Sequence, residues 1–88
     1  MTAAPASVTM YTTTWCGYCF RLKKLMQREG IPFAEVDIEA DGSAAEVVMS
    51  ANGGNRTVPT LVFADGTALT NPSLEQVKAQ LERASQAG

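Results

Sequence analysis

Two cysteines, Cys16 and Cys19, stand three positions apart in the stretch Trp15-Cys16-Gly17-Tyr18-Cys19. A disulfide between them would close almost no loop, so it would add little to the stability of a fold. A thiol pair with this spacing, between a predicted strand and a predicted helix, is typical of thiol–disulfide exchange. The pair is therefore better suited to chemistry than to holding the chain together.

Cys16 is expected to be the attacking sulfur, because it stands at the predicted start of the first helix. The free N–H groups and the helix dipole favour an anion at that position, and thiols in such settings ionise readily. We therefore predict that Cys16 is largely a thiolate at neutral pH. Cys19 lies one turn inward, so we predict that it is more buried, has the higher pKa and acts as the resolving thiol.

Composition excludes several other classes of function. The chain has 88 residues, no histidine and a net charge of −2. Without histidine, Ser-His-Asp and Cys-His catalysis and imidazole-containing zinc sites are excluded. The sequence lacks the clustered basic residues that are expected of a nucleic-acid-binding protein. It also lacks an apolar stretch long enough to span a membrane. Three alternative roles for the cysteines remain open. They could be inert buried residues, they could bind zinc together with carboxylates or a second chain, or they could bind an iron–sulfur cluster shared by a dimer.

The N-terminal residues Met1–Ala6 carry no Lys or Arg, and no long apolar run follows them. A secretory signal would need both, so we expect a cytoplasmic protein. The length suits one small domain, and we treat residues 1–88 as a single domain.

The first half of the chain predicts a strand, a helix and a second strand around the cysteines. β-branched and aromatic residues favour a strand over 8–13, and apolar residues at helical spacing favour a helix from Gly17 to Glu29. Gly30 follows as the expected C′ residue. Alternating residues over 33–38 predict the second strand. A strand–helix–strand unit of this kind is expected to be parallel with a right-handed crossover.

The second half predicts a helix, a hairpin and a last helix. Ser43 and Glu46 have the spacing of a capping box at the start of a helix. A strand over 59–63, a two-residue turn at Asp65-Gly66 and a strand over 67–70 form the hairpin. A second capping box at Ser73–Gln76 starts the last helix. The order βαβαββα predicts an α/β fold with a four-stranded mixed sheet and helices on both faces.

The stretch Thr57-Val58-Pro59 precedes the third predicted strand. A proline cannot donate to a sheet ladder, and a trans bond is the default, so Pro59 has a plain interpretation as a strand-entry proline. Its combination with the cysteine pair favours another interpretation. Pro59 would be a cis proline facing Cys16, and Val58 would offer its backbone N–H and C=O to a bound chain.

Together these residues resemble the thioredoxin/glutaredoxin superfamily over nearly the whole chain. Tyr18-Cys19 and Asn55-Arg56-Thr57-Val58-Pro59 look like glutaredoxin, and Trp15-Cys16-Gly17 looks like thioredoxin. With Gly53-Gly54 and the stretch Thr70-Asn71-Pro72-Ser73, the combination is most similar to mycoredoxins. That family works in the cytosol of bacteria that use mycothiol in place of glutathione.

The resemblance implies the thioredoxin fold and a groove for a thiol adduct. In that groove the main chain of Thr57-Val58-Pro59 would contact the adduct, and Arg56 and Tyr18 would line it. Trp15 and Tyr18 flank the sulfur and can offer apolar contact with a polar tip. Glutathione-using relatives carry a Gly-Gly-acidic stretch and a basic residue where this chain has Thr70–Ser73 and Thr12–Thr14. Thr70 and Asn71 suit a sugar-based thiol better than a charged one.

The implied activity is reduction of mixed disulfides between mycothiol and protein cysteines. Cys16 would take the adduct, and a second mycothiol or Cys19 would resolve it. The implied partners are mycothiol, S-mycothiolated proteins and, indirectly, mycothiol disulfide reductase, with no bound cofactor or metal and a monomeric chain. Two alternatives stay open: an NrdH-redoxin-like dithiol donor to ribonucleotide reductase, reduced by thioredoxin reductase, and a dimeric iron–sulfur cluster carrier.

Overall fold

The computed structural model describes the backbone of residues 8–87 and the side chains of residues 8–83. The strands and helices within that part follow the predicted order βαβαββα. Their bounds are β1 Val8–Thr12, α1 Gly17–Arg28, β2 Ala34–Asp37, α2 Gly42–Ala51, β3 Thr60–Phe63, β4 Ala68–Thr70 and α3 Leu74–Ala87. The residues Met1–Ala6, which carry the expectation that no secretory signal is present, lie outside the described residues.

The sheet is four-stranded and mixed, in the order β2-β1-β3-β4. β1 runs parallel to β2 and antiparallel to β3, and β3 runs antiparallel to β4. In this register Thr12 lies opposite Asp37, and Tyr11 lies opposite Thr60. The end of β1, which leads to Cys16, therefore lies between the end of β2 and the segment before β3.

Helices cover both faces of the sheet, as predicted. α1 and α3 share one face, where buried apolar side chains from both sheet and helices form the larger core: Val8, Met10, Leu22, Met26, Leu61, Phe63 and Val77. α2 covers the other face over a smaller core of Ile38, Ala44, Ala45 and Val48. Burial of each large side chain contributes on the order of 1.5–3 kcal/mol. These two cores fix the helix that carries the cysteines against the sheet. Between residues 8 and 87, none of the helices has the length and apolar character that crossing a bilayer requires.

Two predicted helix boundaries are confirmed in detail. At the start of α3 the Gln76 side chain accepts from the Ser73 N–H at 2.8 Å, and Ser73 Oγ accepts from the Gln76 N–H at 3.1 Å. At the end of α1, Gly30 has a φ of 71°, and the Ile31 N–H donates to the Met26 carbonyl. Those bonds form a capping box and a Schellman-type end, respectively.

Two other local predictions are wrong. α2 begins at Gly42 with Asp41 as its N-cap, so Ser43 and Glu46 do not form the expected capping box. The Asp41 carboxylate accepts from both the Ser43 N–H and the Ser43 hydroxyl, which uses Ser43 as a donor. The hairpin turn is also longer than two residues, because the Phe63 N–H donates to the Thr67 carbonyl and three residues lie between them. Within this turn the Gly66 N–H donates to the Phe63 carbonyl, and Gly66 has a φ of 91°.

Candidate active site

Cys16 is the N-cap residue of α1, as predicted. Its backbone is extended, and its Sγ accepts a hydrogen bond from the Cys19 N–H at 3.1 Å. The sulfur thus takes the place that a Ser or Asp oxygen usually fills at a helix start. All residues in the first turn of α1 are among the described residues, and none of them has an acidic side chain. The amide hydrogen and the helix dipole both favour negative charge on this sulfur.

Cys19 lies one turn inside the helix and is the more buried of the pair, with 3% exposure against 9% for Cys16. Burial is the largest cause that raises the pKa of the Cys19 thiol, and a hydrogen bond with Cys16 and the charge there raise it further. A main-chain hydrogen bond with Thr13 acts in the opposite direction, and the resulting pKa is about 12. Burial therefore favours the protonated thiol of Cys19 at neutral pH. The predicted greater burial of Cys19 is confirmed, and its role as the resolving thiol stays a prediction.

The raised pKa of Cys19 predicts how its reactivity depends on pH. Because the pKa lies near 12, the thiolate fraction of Cys19 should rise about tenfold per pH unit from neutrality to about pH 10. In a Cys16→Ser variant, where burial still acts, the alkylation rate of Cys19 should show this slope without a plateau. A plateau beginning near the ordinary pKa of a free thiol would contradict the expectation.

The Val58-Pro59 peptide bond is cis, and it lies beside the attacking sulfur. The Cys16 thiol donates to the Val58 carbonyl, with Sγ and O 3.8 Å apart. Pro59 is buried, and its carbonyl accepts from the Asn71 N–H at 2.7 Å. The predicted juxtaposition of Cys16 with a cis proline is therefore confirmed, and Asn71 is placed next to the same loop.

Asn52, at the C-cap of α2, holds this loop in place and was missed from the sequence. Its amide N–H groups donate to Val48 O and Thr60 Oγ1, both at 3.0 Å, and its oxygen accepts from the Thr70 hydroxyl. Thr60 Oγ1 in turn donates to Thr57 O at 2.7 Å. The Thr70 hydroxyl is thus engaged by Asn52, and its contact with an adduct stays a prediction.

Removal of the Asn52 side chain should loosen the Pro59 loop. Asn52→Ala is expected to lower the free energy of unfolding by about 1–3 kcal/mol, because the buried Thr60 hydroxyl loses the hydrogen bond it accepts from Asn52. Asn55→Ala is the matched control: within the described part of the chain the exposed Asn55 side chain donates only to Asn52 O, at 3.3 Å, and a change within about 0.5 kcal/mol is expected. Urea unfolding compares the two variants, and equal losses would contradict the assignment.

The remaining predicted groove residues lie on different sides of the cysteines. Tyr18 and Asn71 line a small cavity of about 110 Å³, and Arg21 also lines it. The Tyr18 side chain is 68% exposed. Arg56 and Thr57 are exposed on the chain before Val58. Trp15, 71% exposed, points elsewhere: its indole N–H donates to the Glu39 carboxylate at 3.2 Å. The structure therefore brings Tyr18 and Asn71 together but not Trp15.

A second cavity, of about 420 Å³, is lined by both cysteines and by residues of β2. Its lining consists of Thr12, Thr13, Thr14, Cys16, Cys19, Phe20, Lys23, Glu35 and Asp37. We call it the β2-side cleft. The signal for it in the sequence is the alternation in β2, which puts Glu35 and Asp37 on one face of the strand. The parallel register with β1 then places them beside the threonines before Cys16.

With a cysteine at a helix start and a cis proline beside it, the comparisons with known proteins decide the family. The glutaredoxin family model matches residues 8–68. The chain belongs to the glutaredoxin family. A Mycobacterium tuberculosis protein that carries the name glutaredoxin is 60% identical over 76 residues, covering 86% of this chain and 90% of its own. Mycoredoxin 1 of Corynebacterium glutamicum is 43% identical over 77 residues, covering 88% and 95%.

Solved glutaredoxin structures share the fold. The glutaredoxin of Methanosarcina mazei superimposes with a TM-score of 0.75 at 25% identity, over 86% of this chain and 78% of that one. The glutaredoxin of Archaeoglobus fulgidus gives 0.70 at 29% identity, over 84% of each chain. The predicted thioredoxin fold is therefore confirmed. As a glutaredoxin close to mycoredoxin, the chain is a thiol oxidoreductase that works with the Cys16 and Cys19 redox pair.

Proposed function

We propose that this glutaredoxin reduces mixed disulfides between mycothiol and protein cysteines. The carrying observation is the placement of Cys16 Sγ between the Cys19 N–H, at 3.1 Å, and the Val58 carbonyl, at 3.8 Å. The first contact stabilises negative charge on the sulfur, and the second places the sulfur beside main-chain atoms that can bind an adduct. The 43% identity to Mycoredoxin 1 of Corynebacterium glutamicum supports mycothiol as the thiol.

The reaction follows from these contacts. The Cys16 thiolate attacks the mycothiol sulfur of the mixed disulfide, and the target protein leaves as a thiol. Once the Cys16 thiol has lost its proton it no longer donates to Val58, whose carbonyl is then free to accept an N–H of the adduct. A second mycothiol then attacks the adduct and releases Cys16, with mycothiol disulfide as the product for mycothiol disulfide reductase. In the alternative route Cys19 attacks and forms the Cys16–Cys19 disulfide.

Charge supports a sugar-based thiol over glutathione. Where glutathione-using relatives carry a basic residue before the first cysteine, this chain has threonines, and Thr13 is 7% exposed. Thr70 and Asn71, which precede α3, offer a hydroxyl and an amide rather than an acidic side chain. We further propose that the protein works in the cytoplasm as a monomer, with mycothiol as co-substrate and no bound cofactor.

The reductant separates this proposal from a dithiol donor of the NrdH-redoxin kind. The oxidised protein is incubated with NADPH and either thioredoxin reductase or mycothiol plus mycothiol disulfide reductase. Faster reduction by the mycothiol system is expected. Faster reduction by thioredoxin reductase would favour the dithiol donor. An iron–sulfur carrier would show itself as a coloured dimer after anaerobic reconstitution, because a four-thiolate cluster needs two copies of this cysteine pair.

A further inference from the structure

The dithiol route raises the question of where the Cys19 proton goes. Cys19 must lose a proton before it can attack, yet its pKa of about 12 keeps it protonated at neutral pH. Among the described residues, the hydrophobic cluster that α1 and α3 share with the sheet contains only apolar side chains, so the cluster itself holds no base. Cys19 also lines the β2-side cleft, which contains the ionisable side chains Lys23, Glu35 and Asp37 in addition to Cys16.

Of the two carboxylates in this cleft, Glu35 is already engaged. Its oxygens accept from the Lys23 ammonium at 3.1 and 3.4 Å, and one also accepts from the Thr12 hydroxyl at 3.4 Å. Both Glu35 oxygens are therefore already occupied as hydrogen-bond acceptors by neighbouring side chains.

Asp37 is the carboxylate left for proton transfer. It is half-buried at the end of β2, and its Oδ1 accepts from the Glu39 N–H at 2.8 Å. The parallel pairing with Thr12 places it beside the chain that leads into Cys16. A volume of about 420 Å³ has room for water between a carboxylate and a thiol that line the same cleft.

Thr13 supplies a second, independent sign of a polar path. Its Oγ1 is buried and has no hydrogen-bond partner among the described residues. Buried hydroxyls in folded proteins are nearly always hydrogen-bonded, to protein or to water. Thr13 also lines the β2-side cleft together with both cysteines. A water molecule in the cleft would satisfy this hydroxyl.

We propose that Asp37 accepts the proton of Cys19 through cleft water and the Thr13 hydroxyl when Cys19 resolves the adduct. The proton passes to the Asp37 carboxylate, and Cys19 Sγ bonds to Cys16 Sγ. The adduct S–S bond breaks, and its electron pair leaves on the low-molecular-weight thiol, which takes up a proton. The cysteine pair is oxidised and the small thiol is released reduced. This inference rests on the proposed function, since it concerns resolution of the Cys16 adduct.

Asp37→Asn tests the proposal, because an amide oxygen can still accept from Glu39 N–H but cannot take a proton. The reduced protein is mixed with bis(2-hydroxyethyl) disulfide, and samples of the reaction are quenched with acid at intervals. Mass spectrometry then measures the fractions of reduced protein, Cys16 adduct and internal disulfide. The Cys16 adduct should form at the wild-type rate. Its conversion to the internal disulfide should slow at least ~10-fold at neutral pH and approach the wild-type rate as hydroxide replaces the base at higher pH.

Glu35→Gln is the matched control, because it removes the same charge from the same cleft. It should change the conversion rate less than about twofold, since a paired carboxylate is not the base. Thr13→Val, which removes the buried hydroxyl, should slow conversion as Asp37→Asn does, and it keeps the test decisive if the Asn variant does not fold. Equal slowing by Glu35→Gln and Asp37→Asn, or wild-type conversion in Asp37→Asn, would overturn the proposal. If the wild type formed no adduct on Cys16, the proposed function itself would fail.

Discussion

Cys16→Ser should abolish reduction of mycothiol mixed disulfides, with a loss of turnover on the order of 10³-fold or more, because the attacking thiolate is removed. The variant should stay folded, since Ser is a favoured N-cap residue whose Oγ can accept the Cys19 N–H. Turnover is measured with a mycothiolated protein, mycothiol, mycothiol disulfide reductase and NADPH.

Cys19→Ser is the matched control for this loss. It removes the other thiol of the pair but leaves the Cys16 contacts with the Val58 carbonyl and the first-turn amide in place. Because a second mycothiol can resolve the adduct, this variant should keep turning over with mycothiol. Activity that survived the loss of Cys16, or that vanished equally in both variants, would contradict the assigned roles.

Mycothiol should be preferred over glutathione as the reductant by about 100-fold in kcat/KM. The carboxylates of glutathione lack the basic partner, and its ammonium group lacks the acidic partner, that glutathione-using relatives carry, and each missing charge-assisted hydrogen bond costs about 1.5 kcal/mol or more. The measurement compares both thiols on one substrate protein bearing the corresponding adduct. Equal use of the two thiols would contradict the mycothiol proposal.

A gain-of-function variant sharpens this second prediction. Thr14 is exposed before Trp15 and lines the β2-side cleft, so a basic side chain there can reach solvent near Cys16. Thr14→Lys should raise kcat/KM with glutathione several-fold and leave the mycothiol value unchanged, because an exposed ion pair contributes about 0.2–1 kcal/mol. Ser50→Lys is the control and should change neither value, because Ser50 is on α2 and lines neither the β2-side cleft nor the cavity at Tyr18 and Asn71.

Much of this fold could be predicted from the sequence, because its elements carry strong local signals. The strand with Val8 and Met10 and the helix with Leu22 and Met26 show the two hydrophobic periods clearly. The start of α2 could not be predicted, because two caps compete there. The Asp41 carboxylate accepts hydrogen bonds from both the N–H and the hydroxyl of Ser43. Asp41 is therefore the N-cap in place of Ser43, two residues before the predicted position.

Only the part of the site that depends on local structure could be predicted from the sequence. The roles of Cys16 and Cys19 follow from local helix geometry, which the sequence specifies. Asn52 and Asp37 act through long-range contacts, with Thr60 and Thr70 in one case and with the β2-side cleft in the other. Such contacts depend on sheet register and on how α2 packs. The indole contact of Trp15 with Glu39 is of the same kind.

We propose that Cys16, held at the start of α1, is the reactive sulfur of the pair and that Cys19 is its buried partner. Competitive labelling tests it most directly: the reduced wild-type protein is treated with less than one equivalent of iodoacetamide at neutral pH, and the labelled site is mapped by peptide mass spectrometry. Cys16 should carry at least ~10 times more label than Cys19, because the thiolate is the reacting species. Equal labelling, or more label on Cys19, would contradict the account.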